Sequence, residues 1–191
     1  QILIIAAYVN EERHSRLDLT YTAETFDYVP VKTVGLHVFR EEKLFFRDRD
    51  KFASELLAQL PELLSKINMA QAHQMNYEAS AIGFDKWDYW RSLPRQIGSF
   101  ELFITPDNPL EYLNGSYIFL DYTDFKHNNQ IYFAYNIYRN ELFAELKQNG
   151  IPITTSVFDV PNVVKDSRKL DMLAGLIDAH LQNVMHDLEK S

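Results

Sequence analysis

Two carboxylates and one imidazole follow one another at three-residue intervals near the middle of the chain. Asp121, Asp124 and His127 fall at the end of a predicted strand and in the loop after it. Carboxylate and imidazole groups that lie close together can bind a divalent metal or share acid–base catalysis. This spacing matches no metal motif of known mechanism, and polar residues at strand ends also serve ordinary turns. A metal-assisted hydrolase is therefore the least favoured of three hypotheses.

Five residues have the chemistry of a ligand pocket. Trp87 and Trp90 are three apart, so a short helix would bring them together as an aromatic wall. Tyr117, Asp121 and Tyr132 lie on predicted strands and could supply polar contacts, with Asp121 suited to a cationic group. The rings could equally close one end of a core, which is what large aromatic side chains usually do. The pattern favours a non-catalytic sensor domain that binds a small molecule, cationic if Asp121 takes part.

The other residues that could do chemistry give no further site. The chain has no cysteine, which excludes a disulfide, a thiolate nucleophile and a Cys-ligated zinc. It contains no P-loop, dinucleotide-binding, nucleophile-elbow or zinc-protease motif. His180 and His186 are six apart and therefore lie on different faces of a helix. We predict no cofactor and no bound metal, and we expect a protein that is not an enzyme.

The charge of the chain favours some partners over others. The formal charge is −8 and the isoelectric point is near 5.2. Binding to a phosphate backbone needs clustered Lys and Arg side chains, so we predict no nucleic-acid partner. An acidic surface can instead attract a cation or a basic protein. The alternative to a sensor is therefore an acidic protein-interaction module, of the inhibitor or immunity type, that neutralises a basic protein partner.

Hydrophobic periodicity in the first half of the chain predicts strands followed by a helix. Residues 31–40 alternate as one strand, and residues 52–67 repeat at helical spacing. Pro61 predicts either a kink in this middle helix or a break with a second helix starting there. The next stretch, residues 69–80, is also compatible with a helix.

The second half of the chain predicts the centre of an antiparallel sheet. Asn114-Gly115 predicts a hairpin turn, because both residues tolerate positive φ. Residues 140–148 predict a helix that stops at Asn149-Gly150, and a long final helix is capped by Asp166 or Ser167. The fold class is therefore α+β, with a central, mainly antiparallel sheet and an aromatic-rich core, packed by a kinked middle helix and a long C-terminal helix. The predicted central strands are residues 100–105, 116–122 and 131–135.

No linker or internal repeat divides the sequence, so residues 1–191 are predicted to form a single α+β domain. Residues 2–9 are apolar throughout, which favours a buried strand over the tail of a membrane helix, since a full span needs about 20 residues. Membrane attachment is therefore expected only through sequence preceding Gln1. The absence of cysteine fits both the cytoplasm and an exported domain, so the compartment stays open.

Overall fold

The computed structural model describes residues 1–69, 82–83 and 86–190. The chain forms two compact units, Gln1–Gln71 and Ala72–Ser191. The single domain predicted for the whole chain stays a prediction.

The first unit contains a four-stranded antiparallel sheet. Its strands are β1 (Ile2–Asn10), β2 (Ser15–Thr22), β3 (Asp27–Val34) and β4 (His37–Arg40). They lie in chain order across the sheet, so β1 and β4 are its edges. The prediction of one strand over residues 31–40 is wrong, because the chain turns back at Gly35, whose φ of 59° is left-handed. Glycine adopts that conformation without steric cost, and an alternating pattern does not reveal such a turn.

Helix α1 (Arg49–Ile67) packs on β2 and β3 through one apolar face. Asp48 caps the helix, because its carboxylate accepts a hydrogen bond from the backbone N–H of Lys51 at 2.7 Å. The helix continues through Pro61, so the predicted alternative of a break there is wrong. Residues 70–80, predicted to be compatible with a helix, lie outside the described residues. The side chains that α1 buries are Phe52, Leu56, Leu63 and Ile67.

Strand β1 is the segment that was predicted to be a buried strand. The strand itself is confirmed, since β1 pairs with β2 along its length, with a bulge between Ile4 and Ala6. The burial is wrong, because the apolar side chains of β1 are exposed on both faces. An edge strand has one neighbour only, and α1 packs on the strands beyond it. The first unit therefore carries an exposed apolar edge.

The second unit is a seven-stranded antiparallel sheet with one long helix, α2 (Asp166–Glu189). The strands are β5 (Gln96–Ile97), β6 (Phe100–Ile104), β7 (Leu110–Glu111), β8 (Ser116–Asp124), β9 (Asn129–Asn136), β10 (Glu141–Gln148) and β11 (Ile151–Ile153). Six strands lie side by side in the order β11-β10-β9-β8-β6-β5, and β7 also pairs with β8. The predicted α+β class, with antiparallel strands and a long C-terminal helix, is confirmed. Neither helix among the described residues is long and apolar enough to cross a bilayer.

Strand β10 replaces the helix that was predicted at residues 140–148. Leu142, Ala144 and Leu146 alternate toward α2, and each pairs with a buried residue of β9. This period of two is that of a strand, and seven residues of β10 pair with β9 in register. The Asn149-Gly150 step, predicted to end a helix, is instead the turn between β10 and β11, with both residues at positive φ.

The face of the second sheet that packs against α2, called here the helix face, holds an aromatic-rich core. Strands β8 and β9 are buried throughout, as expected for the centre of the sheet. The Asn114-Gly115 turn is confirmed, since both residues have positive φ and the turn joins β7 to β8. Among the side chains of this core that are less than 2% exposed, the largest are Phe100, Phe119, Tyr122, Phe133 and Phe158, and α2 contributes Leu173, Ile177 and Leu181.

A buried lysine ties the start of α2 to the turn between β9 and β10. Lys165, and neither Asp166 nor Ser167, holds the N-cap position, so the predicted cap is wrong. The side chain of Asp166 instead accepts a hydrogen bond from Asn140 Nδ2 at 3.1 Å and pairs with Lys169 at 3.2 Å. Lys169 is 1% exposed, and its ammonium donates to the backbone oxygen of Asn140 at 2.5 Å. These contacts fix the turn that carries part of the cleft described below.

Candidate ligand-binding cleft

The second sheet separates the five residues that were predicted to bind a ligand. Trp87 and Trp90 belong to the core on the helix face, and the register of β8 against β9 places Tyr117 on that face too. Asp121 pairs with Tyr132, and both lie on the other side of the sheet, called here the opposite face. The structure therefore brings together Asp121 and Tyr132 and places the other three residues across the sheet from them.

Both tryptophans are packed core residues. The ring of Trp87 meets Phe119 edge-on at 5.8 Å between centroids and lies 5.3 Å from Tyr89. Trp90 is buried, and the guanidinium of Arg91 lies 4.5 Å from its ring centroid. Trp87 Nε1 is buried without an acceptor among the described residues. This packing fits the alternative interpretation of the sequence, in which the rings close one end of a core.

Asp121 is fully buried in a small polar network on the opposite face. One carboxylate oxygen accepts a hydrogen bond from Thr123 Oγ1 at 2.8 Å, and the other accepts one from Gln130 Nε2 at 2.9 Å. A buried carboxylate needs such donors, because an unpartnered one would carry a large desolvation cost. Asp121 therefore supports the sheet beside its cross-strand neighbour Tyr132 and has no exposed surface to offer a ligand.

Asp121, Asp124 and His127 do not form one cluster. Asp121 and Asp124 are three apart on β8, so their side chains point to opposite faces of the sheet. Asp124 contacts His127 Nδ1 at 2.7 Å and accepts a hydrogen bond from Ser99 Oγ at 2.6 Å. Among the described residues no group of three or more His, Asp and Glu side chains has the geometry to hold a metal ion. The hydrolase hypothesis stays a prediction, but the structure does not bring its three residues together in one site.

The carboxyls near Ser99 act as a clamp on the end of α2. Burial alone would raise the pKa of Asp124, but hydrogen bonds from Ser99 and His127 outweigh it and lower that pKa. The backbone N–H of Ser99 donates to Glu189 Oε1 at 2.7 Å. This bond and a second one from the Ser99 hydroxyl lower the pKa of Glu189. The hydroxyl has a single proton, so it can donate to one carboxylate at a time. The cluster thus joins the β5–β6 turn to the last residue of the helix.

An open cleft of about 930 Å³ lies on the opposite face of the second sheet. Its walls come from three places: the connection between β7 and β8, the strands β9 and β10 with their turn, and the segment from β11 to Asp159. Of the residues predicted to bind a ligand, Tyr132 lines this cleft. The other polar and aromatic side chains along it are Tyr112, Asn114, Ser116, Asn136, Tyr138, Arg139, Glu141, Phe143, Glu145, Thr154, Thr155 and Asp159.

Aromatic rings and an excess of carboxylates give the cleft its chemistry. Four of the lining residues are aromatic and three are acidic, whereas one, Arg139, is cationic. The Arg139 guanidinium pairs with Glu141 at 3.3 Å and lies 5.9 Å from the Phe143 ring centroid. Two carboxylates therefore remain beyond this ion pair, and the described lining is net negative. The two are those of Glu145 and Asp159.

Tyr132 and Glu145 line the cleft as a hydrogen-bonded pair. They pair across β9 and β10, and the Tyr132 hydroxyl donates a hydrogen bond to Glu145 Oε2. Burial and then the Glu145 carboxylate raise the pKa of Tyr132 well above its ordinary value. The same two causes raise the pKa of Tyr112. Both phenols therefore stay neutral at physiological pH. Burial lowers the pKa of the neighbouring Lys147, an effect that Asp121 and Glu145 oppose.

Asn136 holds two turns of the cleft together with one side chain. Its amide nitrogen donates to the backbone oxygen of Asn114 at 2.8 Å and to Ser116 Oγ at 3.0 Å. Its amide oxygen accepts from the backbone N–H groups of Tyr138 at 3.1 Å and Arg139 at 3.0 Å. Two donors and two acceptor sites are all that an asparagine amide has, so its capacity is fully used. The cleft is therefore preorganised between the β7–β8 and β9–β10 turns.

Sequence reasoning missed Glu145, Phe143 and Asn136 as site residues. Residues 140–148 were predicted to be helical, which would turn Phe143 away from Glu141 and Glu145. In strand β10, the side chains of Glu141, Phe143 and Glu145 instead share one face of the sheet, which is the face of Tyr132. The sequence signal that favours a strand here is the alternation of Leu142, Ala144 and Leu146 with polar or aromatic residues.

No protein-family model, no curated protein and no solved structure matches this chain.

Proposed function

We propose that the second unit is a non-catalytic ligand-binding domain whose cleft takes a compact organic cation. The observation that carries this proposal is the pairing of aromatic rings with surplus carboxylates around a cleft of about 930 Å³. That volume lies within the ordinary range for small-molecule sites, about 300–1,000 Å³. The ligand class is an amine, a guanidinium or a quaternary ammonium.

The chemistry of the lining favours a cation over a neutral or anionic ligand. The face of an aromatic ring attracts a cation, by about 0.5–2 kcal/mol depending on desolvation. Glu145 and Asp159 add opposite charge that Arg139 does not neutralise, since Arg139 pairs with Glu141. An anion would be repelled by these two carboxylates, and the one cation of the described lining, Arg139, already pairs with Glu141. Tyr132 and Tyr112 contribute neutral hydroxyls, which can orient a ligand without altering the charge balance.

Calorimetric titration of the purified chain at low ionic strength tests this proposal. The probes are an alkyl diamine, a guanidinium compound and tetramethylammonium, with acetate and a neutral polyol of similar size as comparison ligands. We expect the cations to bind and both comparison ligands to fail. Equal heats from all five compounds, or none from any cation, would refute the ligand class.

A matched pair of variants locates the binding in the cleft. Glu145→Gln removes one carboxylate charge from the lining but keeps an oxygen that can accept the Tyr132 hydrogen bond. Glu101→Gln makes the same change at an exposed position on β6, outside the described lining. We expect about tenfold weaker cation binding for Glu145→Gln, the effect of roughly 1.4 kcal/mol of lost charge attraction. Glu101→Gln should bind as the unaltered chain does.

The alternative of a basic protein partner uses the same chemistry, because a lysine or arginine side chain is itself a compact cation. The net charge of −8 is the observation that favours it. A third titration arm compares a free alkyl amine with a lysine-rich peptide. Tighter binding of the peptide, lost in Glu145→Gln, would favour the protein-interaction module. Equal or weaker binding per amine would favour the small-molecule sensor.

A further inference from the structure

The first unit carries an apolar groove that no segment among the described residues covers. Helix α1 packs on β2 and β3, and a groove of about 470 Å³ opens between the helix and the inner face of the sheet near β1. Leu3 and Ile5 of β1 form one side of it, and Phe52 and Leu57 of α1 form the other. Leu57 is 69% exposed although it lies beside this groove. The layer of apolar side chains is therefore incomplete on the β1 side.

The free edge of β1 borders the groove and carries no charge. Strand β1 reads ILIIAAYVN and contains neither an ionisable acid or base nor a proline. Its large aliphatic residues are between 45% and 56% exposed. Soluble proteins usually protect an edge strand with a lysine, a proline or a covering element, because its unpaired N–H and C=O groups can pair with another strand. The bulge between Ile4 and Ala6 is the protective feature that β1 has.

We propose that this surface binds a second copy of the chain, with the two β1 strands paired antiparallel across a two-fold axis. Such an interface uses the same patch on both partners, so the patch must be complementary to itself. An uncharged edge meets this condition in a chain whose net charge of −8 otherwise repels its own copy. The two four-stranded sheets would then join through their β1 edges.

The apolar surface of this patch is comparable in size with the smallest specific interfaces. Ile2, Leu3, Ile4, Ile5 and Val9 are about half exposed, and Leu57 is 69% exposed. At roughly 80 Å² of exposed apolar surface for each, these six side chains present roughly 500 Å² per copy. Two copies would therefore bring together at most roughly 1,000 Å² of apolar side-chain surface, which is the lower bound expected of a specific interface. Ladder hydrogen bonds along the strands would add to this.

Sedimentation equilibrium of the full chain tests the proposal with two matched variants. Ile4→Lys places a charge on the proposed edge at a residue that is 56% exposed, and Val38→Lys does so on β4, the other edge of the same sheet, at 58%. We expect a dimer for the unaltered chain and for Val38→Lys. Ile4→Lys should dimerise about tenfold more weakly or not at all, because a charged lysine on an edge strand opposes pairing with another strand. A chain that stays monomeric, or equal weakening by both variants, overturns the proposal.

Disulfide capture gives a second readout that does not depend on the lysine variants folding. The chain has no cysteine, so any cross-link must form through the one introduced. Full overlap of two Ile2–Asn10 strands places Ala6 opposite Ala6, and Ala6 is exposed. Ala6→Cys should therefore oxidise to a covalent dimer, whereas Val38→Cys should not. Cross-linking of Val38→Cys at an equal rate, or of neither variant, would contradict pairing through β1.

Discussion

Replacing Lys169 by methionine should destabilise the second unit by a defined amount. The Lys169 ammonium donates to the backbone oxygen of Asn140 at 2.5 Å and to its side-chain oxygen at 3.0 Å, and it pairs with Asp166 at 3.2 Å. Hydrogen bonds that involve a charged group contribute about 1.5–3 kcal/mol each when buried. The Asp166 side chain is 57% exposed, so that ion pair contributes little. Methionine keeps most of the buried volume and recovers part of the loss.

The net effect expected for Lys169→Met is a loss of about 2 kcal/mol in the free energy of unfolding. For a unit of this size the melting midpoint should fall by roughly 8 °C. Both tryptophans of the chain, Trp87 and Trp90, lie in the core of the second unit. Their fluorescence during chemical denaturation therefore reports on this unit. Cation binding should weaken as well, because Lys169 holds Asn140 beside the cleft residue Arg139.

The control for this experiment is Arg168→Met, which removes the same charge from the neighbouring exposed position. It should change stability by less than about 0.5 kcal/mol. A loss in Lys169→Met as small as that of the control would refute the reasoning, since the buried contacts would then carry no net energy.

The dependence of stability on pH gives a second readout. Hydrogen bonds from Asn140 and Lys169 lower the pKa of Asp166 below 3.8, so their contribution is present above that pH and is lost as the pH falls further. Lys169→Met should therefore lose less stability than the unaltered chain does as the pH falls below 3.8.

Three further predictions concern other contacts of the second unit. Because the pKa of Glu189 is lowered, its bonds to Ser99 stabilise the fold above the ordinary pKa of 4.5 and are lost as the pH falls below it. Glu189→Gln should therefore make stability depend less on pH in acid denaturation. A pH dependence unchanged from that of the unaltered chain would contradict this. Burial raises the pKa of Tyr122 to about 12, and its hydroxyl donates to Pro94 O at 2.6 Å, so stability should fall as the pH rises from 10 towards 12. Tyr122→Phe should cost about 1 kcal/mol at neutral pH and lose part of that alkaline dependence, as denaturation at several pH values would measure. Asn136→Ala removes four hydrogen bonds and should cost about 2–3 kcal/mol together with most of the cation affinity; full affinity in calorimetry would show that the cleft does not depend on this side chain.

Hydrophobic periodicity predicted the helices that have a long apolar face and failed where two patterns coincide. Helix α1 repeats its buried residues over many turns, which no strand could match. Leu142 and Leu146 are four apart and so fit a helix as well as an alternating strand, and Ala144 is too small to decide between them. The Asn149-Gly150 step added to the error, because left-handed residues end helices and form hairpin turns alike.

The candidate site was harder to predict than the fold, because it depends on which face each strand residue takes. Tyr132 and Asp121 lie on the same side of the sheet, but Asp121 is fully buried and is not among the residues that line the cleft. Asp124 was expected in a loop, whereas β8 extends to it and turns its side chain away from Asp121. The contribution of Glu145 requires the pairing of β9 with β10, which is a non-local fact that no local pattern contains.

Two glycines of the second unit define a signature by which relatives could be recognised. Gly115 has a φ of 70°, and a β-carbon there would lie 2.5 Å from the Tyr138 ring that borders the cleft. Gly98 has a φ of 58°, and a β-carbon there would collide with the Glu189 carboxylate that clamps α2. At each position the left-handed backbone disfavours a side chain, and an added β-carbon would also force the Tyr138 or Glu189 side chain to move. An evolutionary lineage that keeps this cleft and this clamp should therefore keep glycine at both positions while the exposed residues around them diverge.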